Sequence, residues 1–378
     1  MVLFLISNQD YLEVAQEAVP NTLTLSVETI EQRTPPISGG SNTFSDESAL
    51  IRKLNAEKFN KAVVFNKRIF DIDQVPFGTH GIFNPSCVYD GNEVTVIARA
   101  EHSEATWHGR FITDKATPCI SKMKVATNKV TFSSMHQPLN TGMPSPCRPE
   151  DWRLFTYKGE TWTNFTNYFF YNDGWPQRDV KSRTCLGKID GDNIRFIKEM
   201  EINGPMNNEE KNWVFFEHEG KMKFIYSIEP WQVYTCDDDG NVIDGISMPL
   251  NIPRRAPKFL ANSTNPILVK TQKWGEVYLM FYHYFVDPLA SMGGTRNRTY
   301  YQFILIFDKT TLKPIAHTYR PVMGGGMGVT EGRHDNVIYT SGAFARGKSL
   351  YALCGEGDTF SQLYRLSMPT IEEGLIEL

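Results

Sequence analysis

The sequence has few cysteines, and their arrangement matches neither a metal site nor a disulfide framework. Six cysteines are scattered over 378 residues without CxxC spacing and without histidines close to them. This pattern favours reduced structural thiols over disulfide bonds or bound zinc. We therefore predict a protein without a metal site.

Long apolar runs and a strong excess of charge are also missing. The apolar start, residues 2–6, is too short for a secretion signal or a membrane helix. A net charge of −4 gives no reason to expect nucleic acid or an anionic membrane as a partner. We expect a cytoplasmic protein that binds neither nucleic acid nor membrane, and the sequence leaves its oligomeric state open.

The first 75 residues differ in pattern from the rest of the chain. They predict a strand over residues 2–6, a short helix over 10–17 and a loop over 34–45 that is rich in proline, glycine and serine. Apolar residues with helical spacing predict an amphipathic helix over 46–60. We interpret residues 1–75 as an N-terminal extension packed on the main body, with a flap over a site as the alternative.

Helical periodicity nearly vanishes after residue 80, and a β-pattern repeats five times. Each copy has a turn that contains glycine, followed by an alternating apolar strand that ends in polar residues. The turn glycines are Gly91, Gly159, Gly220, Gly275 and Gly347. A copy of about 60 residues is long enough for a four-stranded blade. We predict an all-β, five-bladed β-propeller over residues 76–378, with two sandwiches or a long jelly roll as alternatives.

Equivalent strand ends of a propeller meet near the central channel, so residues far apart in sequence can share one site. The polar residues at such ends are Arg99, Asp151, Asn164, Glu229, His283 and Asp358. Glu150 and Asp151 precede Arg153 just before a hairpin, and a carboxylate beside an arginine is a simple way to hold a general acid. The alternative interpretation is a structural ion pair between Asp151 and Arg153.

Four segments resemble, in order, the β-mannoside phosphorylases of glycoside hydrolase family 130. They are FNPS with IARAE in the first hairpin, EDWRLF at residues 150–155, LMFYH at 279–283, and NVIYTSGA with GEGDT close to the C-terminus. The related five-bladed mannosyltransferase/phosphorylase family of protists is an equally natural relative. The resemblance extends over about residues 80–366.

The resemblance implies inverting glycosyl transfer with Asp151 as the acid/base. Together with the strand-end geometry it predicts substrate contacts from Asn84, Arg99, Glu150, Arg153, Asn164, Ser227, Glu229 and Asp358. Phosphate or donor contacts are predicted from Lys211, His283, Arg298 and Tyr300. The substrate would be an oligosaccharide or glycoconjugate of mannose or another hexose. Inorganic phosphate or a nucleotide sugar would be the co-substrate, and no cofactor is required.

The chain departs from the phosphorylase pattern at two positions. Residues 226–230, YSIEP, stand where the phosphorylases have a His-Arg pair, and Trp152 replaces a proline. Loss of that arginine weakens the case for phosphorolysis and favours transfer from an activated sugar. An inverting hydrolase is an alternative, but it needs a second carboxylate to activate water. Candidates for that carboxylate are Glu210, Glu217 and Glu229. A non-catalytic sugar-binding propeller is the other alternative.

Overall fold

A computed structural model describes most of the chain after residue 61. The described ranges are 62–70, 81–101, 106–107, 110–111, 116–126, 129–133, 135–143, 149–170, 180–252, 260–286, 299–324 and 336–378. The elements predicted at residues 2–6, 10–17, 34–45 and 46–60 lie outside these ranges.

The described residues form 26 strands and one short helix. The first twelve strands are β1 (Val63–Phe70), β2 (Gly81–Tyr89), β3 (Val94–Glu101), β4 (Thr106–Trp107), β5 (Arg110–Phe111), β6 (Ala116–Ala126), β7 (Lys129–Phe132), β8 (Leu139–Thr141), β9 (Pro149–Tyr157), β10 (Glu160–Phe170), β11 (Val180–Asp190) and β12 (Asn193–Glu199). The next eight are β13 (Val214–His218), β14 (Lys221–Ser227), β15 (Trp231–Cys236), β16 (Val242–Met248), β17 (Ala261–Asn262), β18 (Ile267–Thr271), β19 (Gly275–Val286) and β20 (Thr299–Asp308). The last elements are β21 (Pro314–Thr318), β22 (Met323–Gly324), β23 (Ile338–Arg346), β24 (Ser349–Glu356), β25 (Phe360–Ser367), helix α1 (Met368–Glu373) and β26 (Leu375–Glu377).

Five sheets have four or more strands, and we number them I to V along the chain. Sheet I has the order β2-β3-β6-β7, sheet II β8-β12-β11-β10-β9, and sheet III β13-β14-β15-β16. Sheet IV has the order β17-β19-β20-β21-β26, with β18 on β19 and β22 on β20. Sheet V has the order β23-β24-β25-β1, and β4 pairs with β5 in a separate ribbon. In sheet V, β1 pairs antiparallel with β25, so a strand from the predicted extension completes the sheet of the C-terminal strands.

The five predicted hairpins are confirmed. They are β2-β3, β9-β10, β13-β14, β18-β19 and β23-β24, and the two strands of each are antiparallel neighbours. The turn glycine in each has a positive φ, from 59° at Gly347 to 99° at Gly91. A glycine is favoured there because its missing Cβ makes the left-handed region accessible at little cost.

The apolar core is divided into five clusters, each between two consecutive sheets. One cluster joins sheets I and II, where Ile97 of β3 packs near Leu154 of β9. The others join II to III, III to IV, IV to V and V to I. Each sheet therefore buries apolar side chains against the sheet before it and the sheet after it, which is the main stabilising contribution to the fold.

Buried polar side chains link the same consecutive sheets. The links are Leu154 N to Ser86 Oγ, Asn164 Nδ2 to the Trp213 carbonyl, Phe215 N to Asn265 Oδ1, Gln302 Nε2 to the Ile338 carbonyl and Ser341 Oγ to the Pro85 carbonyl. These hydrogen bonds satisfy backbone N–H and carbonyl groups that would be costly to bury alone.

The all-β class and a propeller-like arrangement are confirmed. The sheets are less regular than a ring of equal blades, because three have four strands, one has five and one has seven. Over the described ranges, no helix combines the length and the apolar character that crossing a bilayer requires.

Candidate active site

Asp151 lies in a β-bulge of β9. The pairing of β9 with β10 shifts register between Asn164 and Thr166, so two residues of β9 face one residue of β10. The bulge gives Asp151 a φ of 53°, a left-handed conformation that non-glycine residues rarely adopt. The next residue, Trp152, is buried against Phe165 between sheets I and II. The Asp151 side chain remains 21% exposed, so its carboxylate is accessible from outside the core.

Asn84 lies in a similar irregularity of β2 and holds the Asp151 carboxylate. The register of β2 on β3 shifts between Phe83 and Ser86, and Asn84 has a φ of 51°. Its Nδ2 donates a hydrogen bond to Oδ1 of Asp151 over 2.7 Å. Gly355 of β24 leaves room for this side chain, because a Cβ atom there would come within 2.1 Å of the Asn84 Oδ1. Sheets I, II and V therefore meet at this contact.

The guanidinium of Arg99 faces three carboxylates at once. Its Nη2 donates to Oε1 of Glu101 over 2.6 Å and to Oε1 of Glu150 over 3.1 Å. Its Nη1 lies 3.9 Å from Oδ1 of Asp151. The Arg99 side chain is buried, and its Cζ lies 5.0 Å from the centre of the Phe83 ring. The positive charge of Arg99 therefore interacts with carboxylates from both sheet I and sheet II.

The crowding of acidic groups shifts pKa values in this cluster. Burial would lower the pKa of Arg99, but the surrounding carboxylates, including Asp358, outweigh it and hold the pKa above its ordinary value. Burial raises the pKa of Glu150 to about 7; Arg99 opposes this shift and Asp151 adds to it. Asp358 also has a left-handed backbone, with a φ of 50°. The predicted residues that the structure brings together here are Asn84, Arg99, Glu150, Asp151 and Asp358.

Arg153 lies beneath the cluster and is fully buried. Its Nε donates to the Ser263 carbonyl over 2.8 Å, and its Nη1 to the Asp151 carbonyl over 3.1 Å. Its Nη2 donates to Oδ1 of Asn212 over 3.0 Å and to the Tyr339 hydroxyl. All three guanidinium nitrogens bind protein groups, and none is exposed. Arg153 therefore does not reach a ligand as we predicted, and instead positions neighbouring protein groups. Arg153 holds the backbone of the strained Asp151 in place.

His283 lies beside Arg153 and is neutral. Its Nδ1 is 2.8 Å from the Ser263 hydroxyl, and its ring stacks on Tyr300 with centroids 5.5 Å apart. Burial lowers the pKa of His283 to about 3, and the positive charges of Arg153 and Lys211 add to the shift. A neutral, buried His283 cannot supply positive charge to the predicted phosphate or donor contact, and its ring packs between Tyr300 and Tyr339.

Lys211 lies just before β13 with an exposed side chain. Its positive charge acts on both Glu150 and His283, in each case toward a lower pKa. Lys211 is therefore close to both Glu150 and His283, and its anion contact stays a prediction. Arg298 lies outside the described residues.

Three further predicted substrate contacts take part in fold-building hydrogen bonds. Asn164 is 1% exposed and donates to the Trp213 carbonyl over 2.9 Å. Ser227 donates to the Pro230 carbonyl over 2.5 Å, and Glu229 accepts from the Ile252 backbone N–H over 2.5 Å. We predicted that these three polar side chains bind substrate. In the structure their hydrogen bonds instead join neighbouring strands and turns.

The other carboxylates proposed as a water-activating base are also engaged. Glu210 is 3% exposed and accepts hydrogen bonds from the Asn207 backbone, the Tyr226 hydroxyl and the Trp213 indole. Glu217 accepts from the backbone N–H of Lys158 at a hairpin turn. Both carboxylates therefore accept hydrogen bonds from the protein, and Glu210 is buried as well.

Sequence reasoning missed several residues that surround the acid. Asn212 and Tyr339 bind Arg153, and Ser263 binds both Arg153 and His283. Asn212 has a φ of 63°, which a single sequence does not reveal. Tyr339 lies inside the NVIYTSGA segment, so the family resemblance is the one signal that could have identified it.

The arrangement can present an acidic carboxyl to a ligand from a rigid base. Two side chains of sheet I, Asn84 and Arg99, hold the Asp151–Glu150 pair of sheet II. Within the described part of the chain, no group of three or more His, Cys, Asp or Glu side chains is arranged to hold a metal ion.

Solved structures of carbohydrate-active proteins share this fold. A β-1,2-mannobiose phosphorylase from Listeria innocua is 14% identical, with a TM-score of 0.53 over 82% of this chain and 94% of its own. A GDP-Man-dependent mannosyltransferase from Leishmania mexicana is 12% identical, with a TM-score of 0.52 over 87% and 98%. A third structure comes from a study of the family 130 mannoside phosphorylases, a family that contains glycoside hydrolases that target β-1,2 mannosidic linkages in Candida mannan. It is 15% identical, with a TM-score of 0.53 over 81% of this chain and 94% of its own.

The similarity is one of structure. No protein-family model and no curated protein sequence matches the chain. The resemblance to glycoside hydrolase family 130 and to the mannosyltransferase/phosphorylase family of protists is confirmed at the level of the fold.

Proposed function

We propose that the protein transfers a glycosyl residue of mannose or a similar hexose with inversion, and that Asp151 is the acid/base. The observation that carries this proposal is the strained, accessible carboxylate of Asp151, which Asn84 and Arg99 hold in place. Backbone strain of this kind persists only where the surroundings enforce it, and it is concentrated at functional sites. A positioned carboxyl contributes about 10²–10⁴-fold to such a reaction by proton transfer.

We also propose that sheets I to V are five blades around one axis, with the acid at the mouth of the channel. Two observations support this ring. Five apolar clusters follow one another from sheet I to sheet V and back to sheet I. Arg153, on sheet II, binds Asn212, Ser263 and Tyr339, which lie next to or within sheets III, IV and V, as a residue on the axis would.

The charged groups near the acid bear on the choice of donor. Of the predicted anion contacts, Lys211 provides an exposed positive charge, whereas His283 is neutral. A bound inorganic phosphate needs several positive groups, because it carries a dense charge. We therefore place transfer from an activated sugar, such as a nucleotide sugar, ahead of phosphorolysis. Fold neighbours described as a GDP-Man-dependent mannosyltransferase and as a mannobiose phosphorylase support both donor classes.

Hydrolysis is the weaker alternative. An inverting hydrolase needs a free carboxylate on the opposite side of the sugar from the acid. Glu210, Glu217 and Glu229 accept hydrogen bonds from the protein instead.

The test is a donor and acceptor screen of the intact chain. We would incubate it with mannose 1-phosphate or GDP-mannose and mannoside acceptors, and measure released phosphate or GDP and the anomeric configuration of the product by proton NMR. Release of one leaving group with an inverted product is the expected result. Product with a retained configuration would refute the proposed mechanism, and binding of oligosaccharide without any turnover would identify a sugar-binding protein instead.

A further inference from the structure

The number of acidic groups at Arg99 exceeds what one guanidinium can neutralise. Glu101, Glu150 and Asp151 lie 2.6, 3.1 and 3.9 Å from its nitrogens. Arginine stays charged at every physiological pH, so it balances only one of the three carboxylates. A buried carboxylate without compensation takes up a proton instead of staying ionised.

Geometry distinguishes the three carboxyls. Glu101 has the shortest contact with Arg99. Asp151 has the amide of Asn84 as a second hydrogen-bond donor over 2.7 Å, and it is the most exposed of the three. Glu150 accepts its hydrogen bond from the same Arg99 Nη2 atom that donates the shorter bond to Glu101. The Glu150 side chain is only 16% exposed, so water compensates little of its charge. Glu150 is therefore the least compensated carboxyl of the cluster.

Other charged or titratable groups around Glu150 come from β3, β9, β10 and the segment before β13. Lys211, before β13, favours its ionised form, whereas Asp151 and Glu101 oppose ionisation. Tyr168 of β10 is also close to Glu150. Burial raises the pKa of the Tyr168 hydroxyl well above its ordinary value, and the negative charges of Glu150 and Asp151 add to this shift. Burial and these negative neighbours outweigh Lys211 and Arg99, and the resulting pKa of Glu150 is about 7.

We infer that Glu150 gains and loses a proton around neutral pH and so acts as the switchable charge beside Asp151. Glu150 is a positioning residue in this arrangement, because it sets the charge that the Asp151 carboxyl and an arriving ligand experience. As the pH rises through neutrality, the O–H bond of the Glu150 carboxyl breaks and the proton passes to solvent. The site then gains one negative charge and binds anionic ligands more weakly.

The consequence for catalysis rests on the proposed function. An anionic donor, either a sugar phosphate or a nucleotide sugar, would bind a site with protonated Glu150 and be repelled by ionised Glu150. The KM for the donor should therefore rise above about pH 7, while kcat at saturation changes less. Glu150→Gln is neutral at every pH and should abolish this rise in KM.

The proton itself can be measured without any substrate. Protein labelled with 13C in the side-chain carboxyls of Asp and Glu would be titrated by NMR from acidic to alkaline pH. We expect one carboxyl that titrates near pH 7, absent from Glu150→Gln and present in the control Glu219→Gln, whose side chain is 77% exposed in a turn. In Asp151→Asn the same resonance should remain and titrate at a lower pH, because the charge of Asp151 raises the pKa of Glu150.

Several outcomes would overturn the inference. These are the absence of any carboxyl that titrates near neutrality, its persistence in Glu150→Gln, or its loss in Asp151→Asn, which would assign the proton to Asp151. If Glu150→Gln fails to fold, the shift in Asp151→Asn still decides the question. The titration and the donor screen test different claims. If the Glu150 carboxyl titrates near pH 7 but no donor is turned over, only the proposed function is refuted. If a donor is turned over but no carboxyl titrates near pH 7, only this inference is refuted.

Discussion

Gly355 of β24 provides a way to disturb the acid without changing any polar group. In Gly355→Ala, the new Cβ would lie 2.1 Å from Oδ1 and 2.8 Å from the backbone nitrogen of Asn84. Real Cβ atoms do not approach other atoms this closely, so Asn84 has to move. Its hydrogen bond to Asp151, now 2.7 Å long, should be lost.

The size of the effect follows from that hydrogen bond. A hydrogen bond to a charged group contributes about 1.5–3 kcal/mol, and each 1.36 kcal/mol corresponds to about tenfold in rate. We expect kcat/KM to fall by roughly 10- to 150-fold in Gly355→Ala. Overpacking should lower the free energy of unfolding by about 1–3 kcal/mol as well.

The assay compares this variant with Asn84→Ala, the double variant and a matched glycine control. Gly187→Ala, in β11, places a Cβ 3.2 Å from the Arg195 carbonyl oxygen of β12, so it perturbs packing without touching Asn84. Gly355→Ala and Asn84→Ala should be strongly non-additive in kcat/KM, because both remove the same contact. Full activity in Gly355→Ala, or additive losses in the double variant, would refute the role of Asn84 in holding the acid.

Three further predictions concern the surroundings of the site. Arg153→Lys should lower the free energy of unfolding by about 3 kcal/mol or more, because lysine cannot replace all of its charged hydrogen bonds, and an unchanged denaturant midpoint would contradict its positioning role. Trp152→Ala should cost about 3–5 kcal/mol by leaving a cavity between sheets I and II, measured by denaturant unfolding, and a loss below 1 kcal/mol would argue against that buried position. Folding lowers the pKa of His283 from 6.5 to about 3, so its neutral form contributes stability that is complete above pH 6.5 and lost as the pH falls toward 3. The melting temperature of the native protein should fall over this range more than that of His283→Gln, and parallel curves would contradict a buried, neutral His283.

The hairpins could be predicted from the sequence because their cause is local. A turn glycine such as Gly159 or Gly220 and an alternating apolar strand after it need no information from distant residues. The meeting of Arg99 with Glu150 and Asp151 was also predictable, since strand ends converge once the repeat is recognised.

The roles of buried polar residues could not be predicted, because their partners lie on other sheets. Arg153 and Asn164 have the sequence pattern of ligand-binding residues, yet both are buried and bind the backbone of neighbouring sheets. The left-handed conformations of Asn84 and Asp151 were equally hidden, because a bulge results from the pairing of two strands and not from one residue type.

The turnover of Asp151→Asn tests the central claim most directly. With the donor identified in the screen, its kcat/KM should be about 10²–10⁴-fold below that of the native chain, because the general acid is removed. The control Asp192→Asn changes a carboxyl that is 89% exposed and should keep native activity. Both variants should keep the native circular dichroism spectrum and melting profile. Native-like turnover by a correctly folded Asp151→Asn would contradict the assignment of Asp151 as the acid.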